Sequence, residues 1–525
     1  MENTVKVKRK YSLFTAKQLL WLIFPIVIEQ IFSTSLGMID SAMVSRIDNL
    51  GHAGNAVANV DQINNLIIQL FSAFATGGAI ITSQCLGAKR YEDARNSAKH
   101  MLIIVSVMSV FIAGLCLALN NPLLNLFFGG VDEEVHSLSR TYFYLTAASF
   151  PFIGLFNGCA ALLRAQRKSL FTMISAGVSC LLNFVANYVF IFVMDMGVMG
   201  AALATLICRS IPAIFMFCLL LNKKNPIHIS FREKFHFSWS RVKSILKIAI
   251  PSGIESALFQ LGKLMTVTFV NTAYYVNEAG VNVNANANTM AMYINNIGSV
   301  VGSGIGTSCL TVVGQAVGTG DLEQTKYYIK KMFLISYIAN AVCVATIMAS
   351  AGPLLRALYQ YPEEAYSIAT KCLYISLSFQ FVTYPLSFTT PGILKATSDV
   401  KYVMWSAIGS MAVMRVGLCC IFTQAVRLGA YGFWIGMCSD WVARSALFMS
   451  RLLSGRWKRA SGLFKEPVAQ AAGEGGAVAQ KEVAAEISGG LGQPEAATTE
   501  EIAGSEEVAE NKDGNQPEED ENGVK

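Results

Sequence analysis

Most of this chain alternates between long apolar runs and short polar breaks. A helix needs about 20 apolar residues to cross a bilayer. The runs predict twelve helical spans, near residues 17–45, 54–84, 100–119, 137–163, 170–193, 199–221, 245–270, 283–315, 332–351, 366–394, 401–422 and 431–453. Composition agrees: 53% of the 525 residues are hydrophobic and 14% are charged, against about 25% charged in ordinary soluble proteins. The fold class predicted is an all-α integral membrane protein with twelve transmembrane helices.

The polar breaks divide by charge. Lys6 to Lys10, Lys89/Arg90/Arg95, Arg164/Arg167/Lys168, Lys223 to Lys243, Lys326/Lys330/Lys331, Lys395/Lys401 and Arg451 to Arg459 fall in alternate breaks. The breaks between them are acidic or neutral, as at Asp132/Glu133/Glu134, Asp195, Glu278 and Glu363/Glu364. Positive charge collects on the cytoplasmic side, so a multi-pass protein of the plasma (inner) membrane with both termini cytoplasmic is expected. The basic start runs into a long span, and no cleavable signal is expected. From Ala460 the material changes to fifteen acidic residues and four lysines, a net −11, among Ala and Gly. Such a tail lacks the apolar content to pack and is expected to be disordered.

The two halves repeat. Gln84/Gln315, Gly87/Gly318, Glu92/Glu323, Pro122/Pro353, Leu163/Leu394, Arg164/Lys395 and Ala165/Ala396 are each 231 residues apart. Pro25/Pro251 and Glu29/Glu255 are 226 apart. Six spans per copy gives both copies one orientation, a parallel repeat about the membrane normal of the transporter kind. The expected organisation is a cytoplasmic N-terminus (1–16), a first lobe (17–221), a cytoplasmic linker (222–244), a second lobe (245–455) and the acidic tail (460–525).

The repeat also sorts the polar residues inside the spans. Glu29 and Glu255 are mates, which suits structural carboxylates below a proline and leaves a gate or proton role open. Asp40 has no acidic mate; Thr266 stands in its place. Asn183 and Asn187, four apart and so on one helix face, correspond to Met414 and Leu418, and Thr205 to Met437. A carboxylate, two amides and a hydroxyl thus occur together in one half only. Oxygen ligands of this kind suit a hard cation such as Na⁺, and a proton needs only the carboxylate. Interhelical hydrogen bonding is the structural alternative for the amides and the hydroxyl. Twelve cysteines lie scattered without a CxxC pair and five histidines lie singly, so no zinc-type ligand spacing is present.

Together these residues resemble the multidrug and toxic compound extrusion (MATE) family over about 10–455. The specific elements are the loop motifs GGAIITSQCLGAKRYEDA and GTSCLTVVGQAVGTGDLEQT, the span-four end ALLRAQ, the span-one proline and Asp40. The resemblance implies two pseudo-symmetric six-helix lobes forming a V around a central cavity. It implies antiport of organic, often cationic, drugs or toxic compounds against inward Na⁺ or H⁺, with no enzymatic activity. It maps the family's first-lobe cation ligands onto Asp40, Asn183, Asn187 and Thr205, a possible Na⁺ site. Second-lobe acids found in some members are replaced here by Gln260 and Tyr384. No cofactor beyond the coupling ion is expected. Expected partners are small organic substrates and membrane lipid, with no nucleic acid and a functional monomer. A lipid-linked oligosaccharide flippase of the same superfamily remains an alternative. It would need a basic cavity, for which Lys263, Arg209 and Arg415 are the candidates. An intramembrane enzyme would need a nucleophile with a base or a His-metal cluster, and no such set is visible.

Overall fold

The computed structural model describes residues 13–44, 52–128, 132–230, 236–272, 283–358 and 363–464. Every regular element among them is helical. In the first lobe, span one is Ala16–Val44, span two His52–Gly87 and span three Tyr91–Ala118. Span four is the pair Glu133–Ala148 and Phe150–Ala165, bent by 45°. Span five is Ser169–Asn187, continued by a wide turn over Tyr188–Val193, and span six is Gly197–Leu221. The second lobe repeats the order. Spans seven to nine are Trp239–Thr272, Val283–Gly318 and Leu322–Leu358. Span ten is Glu363–Tyr384 with its continuation to Ala396, span eleven runs from Val400 to Ala425 with wide turns inside it, and span twelve is Ala430–Leu453.

Eight of these helices, or nine counting the bent pair as one, are long and apolar enough to cross a membrane by composition alone. Spans seven, ten and twelve carry more polar or charged side chains, among them Glu255, Lys263, Asp440 and Arg444. Spans three and nine start at Tyr91 and Leu322, about ten residues before the apolar runs that predict them. Their first turns are polar and acidic, with Glu92 and Asp93 in one and Glu323 in the other. Carboxylates there favour the positive end of the helix dipole, so helix extends where hydropathy has already fallen.

The repeat reaches into backbone conformation. Apart from Gly455 and Gly462, the described residues with positive φ occur as mated pairs: Lys89 (61°) and Gly320 (73°), Arg167 (65°) and Ser398 (64°), Asp195 (52°) and Arg427 (60°), Gly197 (56°) and Gly429 (55°). Left-handed backbone is disfavoured for non-glycine residues. Its recurrence at equivalent helix ends shows that each of these tight connections is used twice.

Packing departs from connectivity in one respect. The first turns of span one (Leu19, Leu22, Ile23, Ile26) lie in a core with Ile305, Val312, Tyr328 and Ile393 of the second lobe. The first turns of span seven (Val242, Ile245, Ala249) lie in a core with Met101, Leu162 and Met216 of the first lobe. The far ends return: Val44 packs with Val57 and Tyr142, and Val270 with Ile294 and Trp434. Spans one and seven therefore cross between lobes, and the expected lobe boundaries at 17–221 and 245–455 follow the chain rather than the cores.

The tail expectation needs a correction at its start. Trp457–Ser461 is helical, and Phe464 meets the Trp457 ring at 5.8 Å. Leu463 and Phe464 pack on the second-lobe core. These two apolar side chains give residues 460–464 the burial that the polar sequence after them cannot offer. Residues 465–525 lie outside the described residues, as do residues 1–12 of the N-terminus and Glu278.

Candidate functional site: a charged cavity between the lobes

The lobes meet at their basic-loop ends. Gly87 lies against the Gln315 carbonyl and Gly318 against the Gln84 carbonyl. A Cβ at either position would collide with backbone, which explains glycine at both mates. Beside this crossing the Gln84 amide donates to the Ala396 carbonyl (2.9 Å), and the Gln315 amide donates to the Ala165 carbonyl (2.7 Å). The two bonds are images of one another under the repeat. Arg167 adds bonds to Gln315 Oε1 (2.6 and 3.0 Å) and to the Leu13 carbonyl (3.0 Å). The latch separates the basic face from a cavity of about 1090 Å³ lined by both lobes.

Asp40 is buried in the first-lobe wall of that cavity. Asn183 Nδ2 and Asn187 Nδ2 donate to Oδ1 at 2.9 and 2.6 Å, and Thr205 Oγ1 donates to Oδ2 at 3.0 Å. All four sequence-derived residues thus meet at one carboxylate. A carboxylate taking three donors has replaced much of its hydration with fixed dipoles. Asn187 is the last residue before the wide turn at Tyr188, and wide turns inside helices recur at functional sites. Its Oδ1 is buried without a hydrogen-bond partner. The site therefore holds a spare acceptor beside a carboxylate. Oxygens from Asp40, Thr205 and the two amides, once the amides turn, are the donor set a hard cation takes.

Two neighbours went unnoticed in the sequence. Tyr142 reaches Asp40 Oδ2 at 3.5 Å from span four. Asp61 on span two lines the cavity and takes a bond from Asn64 (3.3 Å). A Cβ built on Gly37, three residues before Asp40, would lie 3.5 Å from Asp61 Oδ2. The repeat would have found Asp61: at the 231-residue offset its mate is Met292, while the adjacent Asn64 and Asn65 match Asn295 and Asn296.

Glu29 and Glu255 are brought to equivalent places and each takes a cation. Glu29 Oε1 lies 3.4 Å from Arg164 Nη1, and Thr172 Oγ1 donates to Oε2 at 2.6 Å. Glu255 Oε2 lies 2.8 Å from Lys395 Nζ. Arg164 and Lys395 are themselves mates. Both sit in last helical turns and turn inward, so they are not the loop charges that the basic-break pattern made of them. Each pair stands just past the crossing of span one or span seven and ties that span to its own lobe.

The second lobe is built differently. Gln260 and Tyr384 line the cavity, and Tyr384 stacks on Phe388 with centroids 4.0 Å apart. Lys263 and Arg209 also reach the cavity, and Arg209 Nη1 bonds Ser149 Oγ at 3.0 Å. Arg415 stays behind the wall with Asp440, at 3.6 Å, and Arg444 approaches the same carboxylate at 4.0 Å. Acidic and basic side chains therefore share the cavity, and neither sign dominates its lining.

A family model described as MatE matches residues 25–189 and 251–421. The probable multidrug resistance protein NorM of Thermotoga maritima is 25% identical over 469 residues, covering 86% of this chain and 95% of that protein. A solved structure described as the outward-facing conformation of a multidrug resistance MATE family transporter of the MOP superfamily superposes with a TM-score of 0.76. It is 24% identical, over 86% of this chain and 97% of that one. A MOP superfamily transporter from Pyrococcus furiosus, described as having reverse polarity of its binding pocket, gives a TM-score of 0.76 at 25% identity over 86% and 97%.

Proposed function

The chain belongs to the MATE family of multidrug efflux transporters, and from that premise we propose that it is an antiporter driven by inward Na⁺ or H⁺. It exports organic, often cationic, compounds across the plasma membrane as a monomer, with both termini in the cytoplasm. The observation that carries the reading is the convergence of Asn183, Asn187 and Thr205 on Asp40 in the cavity wall.

The arrangement works as an ion-sensitive joint. Without a coupling ion, the Asp40 charge is held by amide and hydroxyl donors on spans five and six. A proton on Asp40 turns that carboxyl into a donor, and the unpartnered Oδ1 of its neighbour Asn187 is a spare acceptor for it. Na⁺ requires instead that the amides present oxygen. Na⁺ displaces donor bonds that join span one to span five, and a proton reverses the direction of one of them, so occupancy changes how these spans fit. An ion shifts the inward–outward equilibrium only by its differential affinity for the two states, and this joint supplies a difference. Asp61 is the further cavity carboxylate that can attract an organic cation without competing for the ligands of Asp40.

The test is efflux from reconstituted vesicles under separate Na⁺ and pH gradients. Asp40→Asn is expected to lose gradient-driven efflux while inserting normally. Full gradient-driven efflux by this variant would sink the reading.

A further inference from the structure

The second lobe carries a cluster of positive charge that ion coupling does not use, with Arg415 and Arg444 buried and Lys263 exposed to the cavity. Lys263, Arg415 and Arg444 gather around one ring, Phe259, with their cationic centres 5.1, 5.4 and 4.9 Å from its centroid. One carboxylate answers them. Asp440 lies 3.6 Å from Arg415 and 4.0 Å from Arg444, and its Oδ1 is taken up by Ser410 Oγ at 2.7 Å. The carboxylate of span seven, Glu255, is engaged by Lys395. Two buried arginines against one anion leave one positive charge inside the lobe, and Lys263 adds another at the cavity surface. Unbalanced charge in a low-dielectric interior is costly unless something pairs with it.

Only Lys263 of the three faces the cavity. Among the described residues it has no carboxylate partner. Around it the wall offers Gln260 as a hydrogen-bonding amide and the edge of Phe388, on which the buried Tyr384 ring stacks. Phe388 is already engaged from behind by Arg444, 5.1 Å from its centroid. A ring whose other face holds a guanidinium has less electrostatic attraction left for a second cation. The repeat sharpens the contrast. At the 226-residue offset Lys263 replaces Gly37, beside which Asp61 stands in the first lobe. An acid on the first-lobe side of the cavity therefore has a lysine as its counterpart on the second-lobe side.

We infer that the second-lobe wall, with Lys263 as its contact residue and Arg415 and Arg444 behind it, is a subsite for the anionic group of an organic substrate. The carboxylate or sulfonate of the exported compound lies at Lys263, beside the Gln260 amide. The inference rests on the export reading and narrows it. Substrates that engage both walls are zwitterions or organic anions rather than simple cations.

The experiment is equilibrium binding to the full-length protein in nanodiscs, without any gradient, in gluconate buffer. Two aminoxanthylium dyes are compared, one with a free carboxylate and the other its methyl ester, so that only the anionic group differs. Wild type is expected to bind the free acid about tenfold more tightly, which corresponds to about 1.4 kcal/mol. Lys263→Gln should bring the ratio to about one while ester binding persists, and Lys263→Arg should keep the preference. Equal affinity in wild type, or a preference that survives Lys263→Gln, overturns the assignment. Loss of the preference on adding excess chloride or phosphate would make this an inorganic-anion site and overturn it too. Because binding needs no gradient, it can fail while gradient-driven efflux of the ester succeeds, and the reverse.

Discussion

The two lobes have one architecture and opposite interiors. Each has a glycine against a backbone carbonyl, a glutamine bonded to a carbonyl of the other lobe, and a glutamate paired with a cation at the end of its fourth span. Even small bonds recur: Ser179 and Ser410, which are mates, bond the carbonyls of Cys208 and Asp440. Inside, the first lobe holds Asp40 among amides and the second holds Lys263 with two arginines and Asp440. What repeats serves to hold and hinge the lobes. What does not repeat is where ion and substrate chemistry resides. A polar residue inside a span is thus interpretable only beside its mate.

The sharpest way to break this comparison is at the latch. Gly87→Val and Gly318→Val each place side-chain atoms where the opposing glutamine backbone stands. Backbone cannot yield as a flexible side chain does. Both variants should open the basic face and lower gradient-driven efflux at least about tenfold, a barrier change of about 1.4 kcal/mol or more. The check is efflux together with labelling of a cysteine placed at the latch. Because the latch is symmetric, the two should fail alike. Normal efflux by one and none by the other would break the equivalence of the halves.

The paired carboxylates come next. Glu29→Gln and Glu255→Gln each strand a cation that is largely shielded from solvent. Breaking a buried pair costs about 3–5 kcal/mol. Arg164 and Lys395 keep 13% and 17% of their side-chain surface accessible, so about 1–3 kcal/mol is expected. Thermal unfolding midpoints in detergent should fall for both, and ion dependence of efflux should remain. Adding Arg164→Gln to Glu29→Gln should recover most of the loss, because no unpaired charge is left. Loss of ion dependence with an unchanged midpoint would move these residues into the coupling site.

A smaller effect separates the lobes directly. Asn187→Ala and Thr205→Ala each remove one hydrogen bond to Asp40, worth about 1.5–3 kcal/mol when one partner is charged. After relaxation, a loss of about fivefold to tenfold in apparent coupling-ion affinity is expected. Their mates Leu418→Ala and Met437→Ala should change stability and leave ion affinity alone. Measuring efflux against Na⁺ concentration and against pH for all four variants tests this. Equal shifts at mated positions would remove the functional distinction between the lobes.

The repeat made much of this legible in advance. It isolated Asp40, Asn183, Asn187 and Thr205 because each stands opposite an apolar or uncharged mate, and it marked Glu29 and Glu255 as a pair. Asp61 was equally legible by the same comparison, with Met292 as its mate. Tyr142 was not, since an aromatic in an apolar span is ordinary packing and its approach to Asp40 depends on the bend in span four. The crossing of spans one and seven was also hidden. Periodicity says which helix face is apolar and is silent on which lobe covers it. Arg164 and Lys395 looked like loop charges because the break pattern counts cations without knowing which way they turn. The basic cluster at Phe259 assembles from spans seven, eleven and twelve, and no local pattern links them.

The smallest effect on transport is expected beyond the second lobe, and it divides the C-terminal segment in two. Leu463 and Phe464 pack on the core that also holds the start of span one, with Phe464 edge-on to Trp457. Removing the chain after Gly462 strips two partly buried apolar side chains from that core. A fully buried side chain of this size is worth about 1.5–3 kcal/mol, so partial burial puts the combined loss at about 1–3 kcal/mol. Removing the chain after Phe464 takes away only the acidic, apolar-poor segment, whose composition offers nothing to pack. It should leave the unfolding midpoint and the efflux rate unchanged. The two truncations differ by two residues, so the comparison needs only their melting curves and one efflux assay. An equal fall in midpoint for both would assign a structural role to residues 465–525. No fall for either would mean that Leu463 and Phe464 contribute nothing to the second-lobe core.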